Sequence, residues 1–96
     1  MHGEYKMPGG KLIVVDLAIS DGSLAQVQVS GDFFLEPDNA LHAIDAALEG
    51  QDADADEHML AAAIRAQLAP GVMMYGISPE AVAVAVRRAI EQGTAA

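Results

Sequence analysis

Two alternating stretches face each other across an Asp-Gly turn, and few folds accommodate that arrangement. In Lys11 to Ile19 the odd positions Ile13, Val15, Leu17 and Ile19 are all apolar. In the next stretch, Val27 and Val29 point one way while Gln26, Gln28 and Ser30 point the other. Period-2 alternation marks strands with one buried face. Ser20-Asp21-Gly22-Ser23 between them carries the Asp-Gly pair that tight hairpins favour, so Leu24 to Ser30 returns antiparallel. Residues 3–7 form a shorter run, stopped by Pro8-Gly9-Gly10, where proline presets φ and the glycines accept positive φ. Three consecutive strands with short connections imply an antiparallel meander.

The third strand runs directly into Gly31-Asp32-Phe33-Phe34. Gly31 permits backbone geometry that a Cβ resists, and Asp32 has the chemistry to fix the corner by accepting from nearby amides. The two phenylalanines are the only ones in the chain and offer large apolar area where sheet gives way to helix.

Helical signals fill the rest. Pro37 suits a first helical turn, and Leu41, Ile44 and Leu48 with Ala40 and Ala47 form an apolar stripe ending at Gly50. Asp38, His42, Asp45 and Glu49 make the opposite, solvated face. Asp54 and Glu57 fit a capping box for a second helix with stripe Leu60, Ala63, Ile64 and Leu68, stopped by Ala69-Pro70-Gly71. Val72 to Ile77 is an irregular apolar segment, with Met73-Met74-Tyr75 as core filler or partner surface. Ser78-Pro79-Glu80 starts a last helix. Arg87 and Arg88 lie near its end, where cations complement the dipole, and residues 93–96 fray. The expected architecture is α+β: a three-stranded antiparallel meander packed against about three helices, one domain over 1–96.

Charge and composition narrow the function. The net charge is −9 with only five Lys and Arg residues, so the electrostatic footprint of a DNA- or RNA-binding protein is missing, and an anionic membrane is a poor partner. There are no cysteines, which removes disulfides, thiolate metal sites and thiol nucleophiles. The N-terminus lacks an apolar signal-peptide core, and Ala81 to Val86 is an apolar run of only six residues. These features suit a soluble cytoplasmic protein.

No catalytic constellation stands out. His42 between Asp38 and Asp45 has metal-compatible helical spacing, but a solvated helix face has the same composition. Asp52, Asp54 and Asp56 begin like a calcium loop, yet Glu57 stands where glycine is needed and Ala63 where glutamate is needed. Pro8-Gly9-Gly10-Lys11 places successive amides beside a lysine, as a phosphate cradle does, but a strand follows it, so a plain hairpin turn is favoured. The residues alone describe a small acidic domain, a binding module rather than an enzyme.

Four stretches together resemble the C-terminal accessory domain of lipoate–protein ligases. They are Lys6-Met7-Pro8-Gly9-Gly10-Lys11-Leu12, the strand Ile13 to Ile19 ending in Asp21-Gly22, the block Val29-Ser30-Gly31-Asp32-Phe33-Phe34, and Tyr75-Gly76-Ile77-Ser78-Pro79-Glu80. The second half departs from the pattern, with alanine in place of bulkier residues. The resemblance implies a fold similar to iron–sulfur assembly proteins of the SufE and IscU type. It also implies a larger catalytic domain elsewhere, because the catalytic lysine belongs to that domain. A chain beginning at its own Met1 has no room for it, which implies a split ligase of two polypeptides. The chain would be a non-catalytic accessory subunit, needed when lipoate and ATP give lipoyl-AMP and pyrophosphate. The separate catalytic subunit would be its heterodimer partner and the lipoyl-domain acceptor protein a partner through the complex. ATP with magnesium and lipoate would belong to the complex, with no cofactor held by this chain alone. Lys6, Gly9, Gly10, Lys11, Asp32 and Phe33 are the candidate interface residues, a lysine there offsetting the charge of ATP. A stand-alone binding or regulatory module is the alternative. An iron–sulfur scaffold, suggested by the fold likeness alone, is opposed by the lack of cysteine.

Overall fold

A computed structural model describes residues 1–94, with side chains through residue 92. Strands β1 (His2–Lys6), β2 (Leu12–Ser20) and β3 (Ser23–Gly31) form an antiparallel sheet in the order β1-β2-β3. Asp21 and Gly22 both take positive φ (52° and 78°), as the favoured two-residue hairpin turn requires. Ile13, Val15 and Leu17 are buried, so the odd face of β2 meets the core as its alternation implies.

One break in register is invisible in the residue pattern. Asp16 pairs with Gln28 but Ala18 pairs with Ala25, so Gln26 and Val27 together oppose Leu17. Gln26 sits at φ 53°, which makes this a β-bulge. The extra residue resets the alternation: Leu24 and Val27, of opposite parity, are both buried.

Among the described residues three helices complete the α+β fold: α1 (Ala40–Leu48), α2 (Glu57–Gln67) and α3 (Pro79–Thr94). Packing places α3 against β1 and β2, α1 against β3, and α2 across α1 and α3. The alanine-rich start of α3 is its most buried part, with Ala81, Val82, Ala83, Ala85 and Val86 all inside. Small side chains let the sheet approach closely. A methyl on Gly3 would collide with both Ala85 O and Ala89 N, so only glycine lets β1 lie flush on α3.

Several sequence expectations shift. Pro37 lies outside the first helix, in a turn after a cis Glu36–Pro37 bond, and α1 begins at Ala40. The second helix is capped by Asp56, whose Oδ1 accepts from Met59 N at 2.8 Å, not by Asp54. Ser78 does cap α3, its Oγ accepting from Ala81 N at 3.1 Å. Because α3 continues to Thr94, Arg87 and Arg88 are not at its end. Arg87 instead donates to Ala53 O and Ala55 O, tying the linker down, while Arg88 donates to Glu4 O and covers the Tyr5 ring at 4.9 Å. The fraying expected from residue 93 is displaced by helix at residues 93 and 94, and residues 95 and 96 lie outside the described residues. No helix among the described residues is long and apolar enough to cross a membrane.

Candidate functional site

The segment from 32 to 36 turns away from the main sheet and forms a ribbon with the segment expected to be irregular. Strands β4 (Phe34–Glu36) and β5 (Met73–Tyr75) pair antiparallel, with Phe34 opposite Tyr75, Leu35 opposite Met74 and Glu36 opposite Met73. Directly opposed residues share a face. Leu35 is buried and Met74 is packed on the core, so the other face presents Phe34, Glu36, Met73 and Tyr75 outward.

Main-chain bonds gather this ribbon and the sequence motifs at one end of the molecule. Met7 O accepts from Gly10 N at 2.8 Å and Met7 N donates to Lys11 O at 3.3 Å, closing the first hairpin. Lys11 N donates to Gly76 O at 3.2 Å, joining that hairpin to the residue after Tyr75. A methyl on Gly76 would lie 2.5 Å from Lys11 Cγ, so the lysine stem crosses a surface that only glycine leaves clear. Asp32 N donates to Leu12 O at 3.3 Å, bringing the Gly31-Asp32-Phe33 corner against the same strand. At that corner Gly31 has φ 149°, and a methyl on it would collide with Leu12 O and lie 3.0 Å from Phe33 Cε2. Lys6 stands opposite Leu12 in the β1–β2 register.

The candidate residues Lys6, Gly9, Gly10, Lys11, Asp32 and Phe33 therefore share this end of the fold. Their expected local roles are refined. The corner is held by the Asp32 amide rather than its exposed carboxylate. Phe33 packs on the core, whereas Phe34 is 71% exposed and so is not core. Gly10 N and Lys11 N both bond within the fold, which makes residues 8–11 a hairpin turn rather than a nest of free amides. A shallow groove of about 210 Å³ runs beside the corner between Phe33, Phe34, Leu35, Asp38 and Leu41.

Charge is distributed unevenly around this end. Of the five basic residues, Arg65 pairs with Glu80, Arg87 with Glu91 and two carbonyls, and Arg88 with Glu4 O and Tyr5. Lys6 and Lys11 have no ion pair or hydrogen bond from their side chains among the described residues. Both are exposed, in a chain of net charge −9. Two lysines without partners thus lie at the same end as the exposed Phe34 and Tyr75, together with the exposed carboxylates of Asp32 and Glu36.

The acidic candidates have structural roles. Asp45 Oδ1 accepts from Val29 N at 3.0 Å, and Glu49 accepts from Gln26 N at 2.7 Å and Val27 N at 3.1 Å. The face of α1 expected to be solvated therefore supplies acceptors to the edge of β3. Burial raises the Asp45 carboxyl above its ordinary value, against the lowering effect of the Val29 amide. Asp52 Oδ1 accepts from Asp54 N at 2.8 Å, an Asx turn, while Asp56 caps α2. A larger groove, about 540 Å³, lies elsewhere, along β1 and α3 between His2, Glu4, Arg88, Glu91 and Gln92.

Comparison with known proteins adds one decisive likeness. No family model matches the chain, and no curated protein does. Among solved structures, one from an archaeal lipoylation system contains a chain that superposes with a TM-score of 0.69 at 27% sequence identity. That structure is of a bi-partite lipoate protein ligase and its E2 lipoyl domain from Thermoplasma acidophilum. The match covers 91% of this chain and 98% of that one, so the two are nearly equal in length. This chain resembles a lipoate–protein ligase component. The likeness to lipoate–protein ligases is thus carried by three-dimensional structure as well as by sequence motifs. Three of the four stretches that carry it in sequence, around Lys6–Leu12, Gly31–Phe34 and Tyr75–Gly76, are those that the main-chain bonds bring together.

Proposed function

We propose that this chain is the non-catalytic accessory subunit of a bipartite lipoate–protein ligase. It acts with a separate catalytic subunit in the ATP-dependent activation of lipoate to lipoyl-AMP, before transfer to a lipoyl-domain acceptor. The observation that carries this reading is the end-to-end match with a chain of similar length in a bi-partite ligase system. A counterpart of that size supports an accessory piece that works beside a larger partner.

The physical role follows from the reaction. An acyl-adenylate hydrolyses readily, so its site must exclude water. A small rigid domain docking over the site closes it and helps hold the phosphates in position. The motif-bearing end is the part of this molecule suited to that task. Lys6 and Lys11 are its uncommitted cations, and the Lys11 stem is held in place over Gly76. Near ATP in the complex, two such ammonium groups offset phosphate charge. ATP with magnesium, and lipoate, belong to the assembled ligase in this scheme.

Lipoate-dependent ATP–pyrophosphate exchange tests the reading. The catalytic subunit is assayed with and without the 96-residue chain. Exchange only in the mixture is expected. Equal exchange in both overturns the accessory role and favours a free-standing regulatory module. Replacing Lys6 and Lys11 together with alanine is expected to slow exchange by about tenfold, roughly 1.4 kcal/mol of lost electrostatic stabilisation. Unchanged exchange removes the lysines from the scheme.

A further inference from the structure

We infer that the outward face of the β4–β5 ribbon, centred on Phe34, Met73 and Tyr75, is the anchor by which this chain docks on the catalytic subunit, separate in role from the lysines beside it. The inference rests on the accessory-subunit reading and assigns the surface that such a subunit uses.

Three observations carry it. The first is a concentration of exposed apolar area. Phe34 is 71% exposed, Met73 50% and Tyr75 47%, and all three project, with Glu36 as the one charged member, from one face of a six-residue ribbon. Single exposed apolar residues are ordinary, whereas a cluster marks an interaction surface. Aromatic and methionine side chains are enriched at the centres of such surfaces. The second is rigidity behind the patch. Leu35 is buried beneath it and Met74 packs on the core, while Gly76 O is tied to Lys11 N, so the aromatics are held on a fixed base. An anchor already ordered loses less freedom on binding. The third is charge. Lys11 lies against the ribbon over Gly76, Lys6 stands on the neighbouring strand opposite Leu12, and these two are the basic side chains without a partner among the described residues.

Those features choose the occupant. A second copy of this chain would bring another net −9 against the first, and like charges disfavour that pairing. The apolar face beside uncommitted cations fits a protein surface with an apolar centre next to an anionic site. A ligase subunit holding a nucleoside triphosphate offers that combination. The ribbon would then supply affinity, and the lysines would act on the phosphates once docking has occurred.

The division of labour is measurable. The double variant Phe34→Ser, Tyr75→Ser and the double variant Lys6→Ala, Lys11→Ala are compared with wild type. Thermal melts first establish that each is folded; Phe34 and Tyr75 contribute little to the core, so small changes are expected. Calorimetric titration against the catalytic subunit then gives Kd. The ribbon variant is expected to bind at least about tenfold more weakly, the loss typical of a central anchor. It also requires correspondingly more accessory chain for half-maximal ATP–pyrophosphate exchange. The lysine variant is expected to bind within about threefold of wild type while exchanging slowly, as charges at a rim affect affinity little. Ribbon substitutions that leave Kd within about twofold overturn the inference, as does wild type self-associating through this face. Failure of wild type to bind the catalytic subunit overturns the accessory-subunit reading itself, and the anchor with it. Hydrogen exchange on the wild-type complex provides a readout without mutation: new protection at residues 33–36 and 73–76 supports the anchor, and protection confined to other segments refutes it.

Discussion

Gly31 illustrates how a single residue position can be dictated by the fold around it. Its φ of 149° lies in a region that side-chain-bearing residues rarely adopt, and a Cβ there would collide with the backbone oxygen of Leu12. Neither strain is relieved by turning a side chain. Gly31→Ala is expected to cost at least about 2 kcal/mol, from overpacking and backbone strain together. Gly9→Ala is the control: its φ of 69° carries the left-handed penalty, but nothing lies within 4 Å of the added methyl. Its cost is about 1 kcal/mol. Urea denaturation of the two variants checks the ordering. The need for glycine at this corner is readable from the sequence, since an alternating strand runs into Gly-Asp. The contribution of Asp32 is not, because a main-chain bond to Leu12 does the work expected of its carboxylate. Phe34 shows the same limit. Two adjacent phenylalanines look alike in sequence, and only the direction of the chain after the corner sends one to the core and the other to solvent.

Among titrating residues, His2 is the most clearly coupled. Its ring nitrogens sit 2.7 Å from Glu4 Oε2 and 2.7 Å from Asp16 Oδ1, and these hydrogen bonds, Glu4 foremost, raise its pKa above the ordinary 6.5. A histidine whose folded pKa is raised adds stability below its unfolded pKa, and loses that contribution as pH rises through the folded value. An NMR titration of the His2 ring should give a midpoint above 6.5, and Glu4→Gln should lower it more than Asp16→Asn.

At the scale of elements, the edge of β3 is closed by α1 and the link after it. Gly50 N donates to Leu24 O and Gln51 O accepts from Leu24 N, both at 2.8 Å. Glu49 takes the amides of Gln26 and Val27, and Asp45 takes Val29. An open edge invites pairing with other chains, and here one helix and its C-terminal link cover it. The i, i+4 spacing of Asp45 and Glu49 is visible in the sequence, but a polar helix face is usually solvated. The bulge that aims two amides at Glu49 leaves no local signal when its αL residue is glutamine rather than glycine. Glu49→Ala removes both acceptors and should cost about 1–2 kcal/mol in urea denaturation, charge-assisted bonds being discounted for exposure. Asp45 separates charge from hydrogen bonding. With its folded pKa raised by burial, the native state binds its proton more tightly than the unfolded chain. Stability from this group therefore falls as pH rises from the ordinary 3.8 through the raised value, and the penalty of the charged form is complete above it. Asp45→Asn keeps an acceptor for Val29 without the charge, so it should match or exceed wild type at neutral pH and lose that pH slope. Asp45→Ala should be less stable by about 1 kcal/mol.

Across the whole molecule, the buried centre and the β4–β5 ribbon occupy opposite ends of a range of local stability. The three-stranded sheet and α3 share the buried centre, where Ile13, Val15, Val82, Ala83, Ala85, Val86 and Ala89 are fully enclosed. The β4–β5 ribbon joins three-residue strands and buries only one face, and two-stranded ribbons of that size have little stability of their own. It is held by the core beneath Leu35 and Met74 and by main-chain ties at its two ends, Asp32 N to Leu12 O and Lys11 N to Gly76 O. Local openings draw on regions of few buried contacts, so the ribbon should open well before the sheet. In native-state hydrogen exchange, amides of β2 and the first half of α3 should report the global unfolding free energy. Those of residues 34–36 and 73–75 should exchange from a local opening smaller by several kcal/mol, insensitive to low urea because little surface is exposed. Equal protection in ribbon and sheet would make the molecule one cooperative unit and remove this gradient. A ribbon that is only locally stable also predicts where binding has its largest effect. Docking on the ribbon, if it requires the closed form, raises its opening free energy and the global unfolding free energy by the same mass-action increment, so the ribbon, which starts lower, shows the larger fractional gain in protection.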